Sequence, residues 1–164
     1  MTKDALSSPY DNNKPKGLLF TEKGKVAAWV SQTPYSTIPD AYFEEKFSKN
    51  NTRANNEWSD NYQLAYFNPD NIETNGSLTD VIDIERAAGE CSFSCSFIEA
   101  IKQSAKEKDI EGITWLILLY DSGYNHEKTG VTEDEHTTFL GEYSYDYGAK
   151  SLYDIEEGAI NLDE

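Results

Sequence analysis

His126 and His136 stand ten positions apart in a polar stretch that also carries Asp121 and Glu133. Imidazole and carboxylate side chains are common ligands of hydrolytic metal sites and common carriers of protons. Neither histidine falls on a predicted helix or strand that would fix its geometry. Histidine in a polar loop is ordinarily just solvated, so the pair defines no metal site. Cys91 and Cys95 have helical spacing. A four-ligand zinc site needs two more soft ligands close by, and the two thiols read as small hydrophobes. Ser122 and Ser144 lack the Gly-x-Ser-x-Gly turn that exposes a nucleophile. Asp121-Ser122-Gly123-Tyr124-Asn125 lacks the spacing of a calcium loop and its closing glutamate. No glycine loop suited to phosphate is present. The reading is a chain that is not an enzyme and takes no cofactor and no metal.

What remains is the chemistry of recognition. Charge is graded along the chain: residues 1–60 sum to zero, 61–120 to −6 and 121–164 to −10, for a total of −16. Such a charge repels nucleic acid and anionic membranes, and it attracts basic partners over long range. The candidate partner-binding residues are Asp121, Tyr124, Glu133, Asp134, Glu135, Glu142 and Asp146. Carboxylates suit a cationic surface, and tyrosine adds a large contact area with a polar tip. The acidic tract Glu133-Asp134-Glu135 has a plainer reading as a solvated loop. The row Tyr143, Tyr145, Tyr147 also has two readings, core packing or a contact surface with Tyr124, Tyr147 and Tyr153 at its rim.

These residues need a framework. A high aromatic share, with eleven Tyr, seven Phe and three Trp, argues for a folded chain despite a mean hydropathy of −0.68. The expected organisation is a flexible leader over 1–24, one domain over 25–148 and an acidic tail over 149–164. No apolar run is long enough to span a membrane, and the polar first 17 residues lack the apolar stretch of a secretory signal. The expected location is the cytosol. The domain is expected to be α+β, with a mixed or mainly antiparallel sheet of four or five strands packed on two main helices.

Strands are expected over 25–30, 62–67 and 113–120, the last being central and covered on both faces. A helix is expected from Pro39 to about Ser48, with Tyr42, Phe43 and Phe47 as its apolar stripe. A polar loop covers 50–61; a short helix follows Ser77 and uses Leu78, Val81, Ile82 and Glu85, while Val81, Ile82 and Ile84 also suit a strand. Ser94 or Ser96 caps a helix that runs to about Lys108. Residues 137–147 alternate, with Phe139, Gly141, Tyr143, Tyr145 and Tyr147 on one face. This strand is expected to pair with 113–120 across the loop 121–136. A short helix near Leu152 ends the pattern.

The series of elements resembles the bacterial immunity protein 22 family. The resemblance rests on Val26-Ala27-Ala28-Trp29-Val30, then Tyr42-Phe43-Glu44-Glu45-Lys46-Phe47 and Tyr66-Phe67-Asn68-Pro69-Asp70. Ser94-Cys95-Ser96-Phe97-Ile98, Leu116-Ile117-Leu118-Leu119-Tyr120 and Phe139-Leu140-Gly141 complete it. Their order over about residues 25–146 carries the likeness. It implies a cytosolic inhibitor that protects its own cell by binding a cognate toxin; the acidic charge separately points to a basic, nuclease-like one, whose phosphate-gripping groove an acidic surface can occupy. Two other readings stand beside it. One is a small-molecule binder whose pocket uses Trp29, Trp58, Tyr66 and Trp115. The other is a homodimer or larger homo-oligomer formed through strand edges.

Overall fold

The longest apolar run of the chain becomes the middle of a sheet. In the computed structural model, which describes residues 17–50 and 52–153, this run is β7 (Trp115–Ser122). It lies beside β1 (Thr21–Ser31) on one side and β4 (Ile72–Gly76) on the other. β8 (Thr138–Ser144) closes the far side of β1, which gives the order β4-β7-β1-β8 with every neighbour antiparallel. The domain is α+β, as its alternating and continuous apolar patterns predict.

The expected hairpin between the 137–147 strand and the 113–120 strand does not form; β8 pairs with β1. The reason lies in β1 itself. Val26 to Val30 are at most 1% exposed, so both faces of β1 are covered, and its two edges are covered as well. The outer positions go to β4 and β8, whose polar residues tolerate an edge.

The sheet separates two cores. Val26, Ala28, Val30, Leu116, Leu118 and Tyr120 face a helical layer. That layer contains α3 (Ile84–Gly89) and α4 (Ile98–Glu107), whose Ile84, Ala87, Ile98, Ile101 and Ala105 point inward. Ala27, Trp29, Ile117 and Leu119 face an aromatic layer of Tyr42, Trp58, Tyr62, Phe67, Tyr124 and Phe139. A bulge in β8 changes which layer each residue joins. Ala28 is opposite Gly141 and Trp29 is opposite Phe139, so Leu140 is the extra residue. Phe139 therefore enters the aromatic layer, while Leu140, Tyr143 and Tyr145 join the helical one. The single-faced row expected from strict alternation is split at this point.

The aromatic layer is built largely from irregular chain. The helix expected over 39–48 is one turn, α1 (Asp40–Phe43), and the chain then extends into β2 (Lys46–Phe47). Phe47 pairs with Ala54 of β3 (Ala54–Asn55), so this aromatic is used on a hairpin and is exposed. The expected polar loop over 50–61 contains α2 (Glu57–Asn61). Asn56 starts it with a capping box: its side chain accepts from Ser59 N at 2.8 Å, and its own N–H donates to Ser59 Oγ at 2.9 Å. Asn56→Ala is expected to cost about 1–2 kcal/mol in urea denaturation, since Asn56 is 3% exposed and its partner groups would lose their mates.

The 62–67 segment is not a strand. Gln63 takes a positive φ of 61°, and Leu64 N donates back to Ser59 O at 2.9 Å. Tyr62, Leu64 and Phe67 are buried all the same. After Ser77 there is no helix until Asp83 caps α3; Leu78 and Val81 are 63% and 66% exposed. β5 (Ile82–Asp83) and β6 (Gly112–Ile113) form a small ladder there.

Within the expected leader, Leu18 N donates to Gln63 O and Ala65 N donates to Leu18 O, so residues 17–20 pack on the body. At the other end, Leu152 N donates to Ser94 Oγ at 2.9 Å. Leu152 and Tyr153 are helical, and the rest of the expected terminal helix and acidic tail lies outside the described residues.

Candidate partner-binding face

Asp134 is the best-held of the candidate carboxylates. It accepts from Tyr42 Oη at 2.6 Å, Asn61 Nδ2 at 2.9 Å, His136 N at 2.9 Å, Thr137 N at 2.8 Å and Thr137 Oγ1 at 2.9 Å. Tyr62 Oη donates to Thr137 O at 3.0 Å, which ties this cluster to the aromatic core. Burial pushes the Asp134 carboxyl toward the neutral form, but the donors from Tyr42, Asn61, His136 and Thr137 outweigh it and hold the pKa below the usual value. The result is a tight turn on which Glu133 and Glu135 stand exposed on either side of a fixed centre. Glu135 reaches His136 Nε2 at 3.7 Å, an ion pair only when the imidazole is protonated.

Asp121 is a second anchor, at the other end of the sheet. β7 twists there, with Asp121 at φ 58°, a strained backbone for a residue with a side chain. Its carboxylate accepts from Gly24 N at 3.0 Å, Tyr145 Oη at 2.8 Å and Tyr147 Oη at 2.7 Å. Burial opposes ionisation, and these three donors reverse the sign, so its pKa is lowered. Phe93, Tyr145 and Tyr147 pack as a ring cluster with centroids 4.9–5.9 Å apart. Tyr145 is buried and Tyr147 is half exposed, so the cluster has an aromatic rim.

The other three candidates behave differently. Glu142 pairs with Lys25 at 3.6 Å, and an exposed pair of this kind is worth little. Asp146 is exposed and accepts from Gly148 N at 2.8 Å. Tyr124, expected at the rim, is 2% exposed and lies within the aromatic core. Its hydroxyl bonds Thr129 Oγ1 at 2.6 Å and donates to Val131 O at 2.9 Å, which fastens the loop after β7. Tyr124 therefore positions the loop and offers no surface to a docking molecule.

The structure does not gather these residues into one cluster. It spaces the exposed carboxylates along the outer strand. Glu133 bridges Thr138 at the start of β8, Glu142 sits within it and Asp146 follows its end. At about 3.3 Å per residue, Thr138 to Asp146 spans about 25 Å. Of the acidic residues of the last third, Asp154, Glu156, Glu157, Asp163 and Glu164 lie outside the described residues.

A family model described as Immunity protein 22 matches residues 26–146. The chain belongs to the immunity protein 22 family. Comparison with curated proteins and with solved structures gives no match. The matched region holds the whole sheet except the first residues of β1, and all seven candidate residues.

The immunity protein 22 fold also bears on the other readings. Among the described residues no group of three His, Cys, Asp or Glu could hold a metal ion. No helix among them is long and apolar enough to cross a membrane. Trp29 and Trp58 are fully buried and meet edge to face at 4.9 Å, so they line no cleft. Tyr66 lines a cleft of about 250 Å³ with Arg53, whose guanidinium lies 4.7 Å from the Tyr66 ring centroid.

Trp115 lines another cleft, of about 220 Å³, with Tyr35, Phe43, Glu45, Asn56, Ile72 and Thr74. Reading Tyr42, Phe43 and Phe47 as one helical stripe hid it. The available signal was the adjacency of Tyr42 and Phe43 so soon after Pro39: successive helical positions diverge by about 100°, so only one of the two can point straight inward, and Tyr42 is buried while Phe43 stays partly exposed at the core's edge.

Proposed function

We propose that this immunity protein 22 member binds a cognate basic toxin, nuclease-like in its cationic groove, and neutralises it by occupying that groove. The action requires no chemistry and takes place in the cytosol of the producing cell. The observation that carries the reading is the Asp134-centred turn, which presents Glu133 and Glu135 from a fixed base on the sheet's outer edge. Nucleases grip phosphates with Lys and Arg, and pre-positioned carboxylates compete for the same side chains. A net charge of −16 draws such a partner in from a distance and disfavours nucleic acid and anionic membranes as partners. Glu142 and Asp146 extend the acidic line, while Asp121 holds the Tyr147 rim.

Co-expression with the toxin encoded beside it is expected to rescue growth. Charge reversal of both Glu133 and Glu135 is expected to slow association about tenfold or more at low ionic strength and to flatten its salt dependence. Stopped-flow association measured over a salt series checks this. Rescue and association that ignore both charges would reject the face. The outer edges also leave a homodimer open as a second arrangement, which size-exclusion chromatography with light scattering distinguishes from a monomer.

A further inference from the structure

The Trp115 cleft contains a carboxylate without a counter-charge. Tyr35 stands on a single 3-10 turn (Tyr35–Thr37) framed by Pro34 and Pro39, Phe43 ends α1, and Trp115 opens β7. Tyr35 packs on Trp115 with ring centroids 4.4 Å apart and lies nearly parallel to Phe43 at 6.2 Å. All three rings are partly exposed. Glu45 lines the same cleft, is itself partly buried, and its carboxylate makes no ion pair and accepts no hydrogen bond among the described residues. Burial alone displaces its pKa, upward. A desolvated anion with no mate is unfavourable in the free protein, and a cation entering the cleft removes that penalty.

We infer that this cleft receives one arginine side chain of the protein partner, its guanidinium plane against the Tyr35 and Trp115 rings and its N–H fork on the Glu45 carboxylate. The volume suits a single side chain. Arginine fits better than lysine because its planar, weakly hydrated head both stacks on rings and pairs with a carboxylate. The cleft also adjoins the proposed face. Tyr42 donates to Asp134, and its chain neighbour Phe43 forms the cleft wall, so one helical turn carries both. The assignment to a protein partner rests on the toxin-binding reading.

The first test is an NMR titration of the labelled full chain with acetyl-Gly-Arg-Gly-amide and with its citrulline counterpart. The arginine peptide is expected to shift the Trp115 indole N–H and to bind at least about fivefold tighter than the citrulline peptide. Glu45→Gln is expected to abolish that preference while keeping or raising the melting temperature, a split that a purely structural role would not give. Equal binding of the two peptides, or a preference untouched in Glu45→Gln, overturns the inference. Tetramethylammonium binding tighter than the arginine peptide would assign the cleft to a small cation and overturn it as well.

In the toxin complex, Glu45→Gln is expected to raise Kd about tenfold. An unchanged Kd, in a complex that Glu133 and Glu135 reversal weakens, refutes the cleft and leaves the proposed function standing. Arginine-selective peptide binding without any toxin binding refutes the proposed function and leaves an arginine-accepting cleft.

Discussion

Trp29→Ala is expected to cost about 3–5 kcal/mol, a third or more of the stability of a typical domain and nearly all of that of a marginal one. The indole is fully buried at the centre of the aromatic layer. Its ring centroid lies 4.9 Å from Trp58, 5.6 Å from Tyr62, 5.3 Å from Tyr124 and 5.2 Å from Phe139. These neighbours come from α2, the turn after it, the loop after β7 and β8, so a void there loosens four separate segments. Trp29→Phe is expected to be much milder. It keeps a ring in place, and it removes an indole N–H that is buried without a partner. Urea denaturation of the two variants beside the parent measures the difference. A loss below about 2 kcal/mol for the alanine variant would mean that the layer collapses around the void.

Asp134→Ala is the second large effect, expected to cost about 2–4 kcal/mol. The substitution removes a carboxylate that answers five donors and leaves the Thr137 and His136 amides and Asn61 without their acceptor. Tyr42 keeps its bond to Thr137 Oγ1, which limits the damage. The pH dependence has a definite sign. Burial raises the folded-state pKa of Asp134, the hydrogen bonds lower it by more, and the net value is below the ordinary one. The unfolded chain therefore takes up a proton first on acidification. The stabilisation is complete above about pH 4 and is lost as pH falls through the folded-state value. Melting curves between neutrality and about pH 3 are expected to show this acid loss in the parent and a smaller one in Asp134→Ala. Part of it remains in the variant, because the Asp121 carboxyl is lowered by its own three donors.

β7, β1 and α4 were legible in the sequence because each buries a continuous or helically spaced apolar set, and burial of that kind fixes element type. The pairing of β8 was not. Sequence neighbours usually pair, but the two-sided burial of Val26 to Val30 demands flanking strands, and only the assembled sheet shows which they are. The Leu140 bulge inverts a pattern that looks perfectly alternating, and no residue type announces it. The irregular aromatic layer was misread in the opposite way. Tyr62, Leu64 and Phe67 look like a strand because they are buried, yet Gln63 turns left-handed between them and the backbone bonds elsewhere.

At the candidate face, residue type pointed to carboxylates but could not separate internal props from outward-facing side chains. Asp134 and Asp121 spend their oxygens on internal donors, Tyr124 is interior, and Glu133, Glu135 and Asp146 remain outward. Glu45 escaped notice because a charged residue within an expected surface helix looks like ordinary solvated surface.

The placement of β1 has a bearing on timing. Val26 finds its ladder mates at Tyr120 and Tyr143, so β1 leaves the ribosome with nothing to join until translation has reached those distant residues. At ordinary translation speeds that delay is on the order of ten seconds, and such distant pairings then close slowly. A nascent copy therefore has no finished sheet to offer a partner, and if the proposed function holds, protection during a sudden burst of toxin would depend on molecules made beforehand.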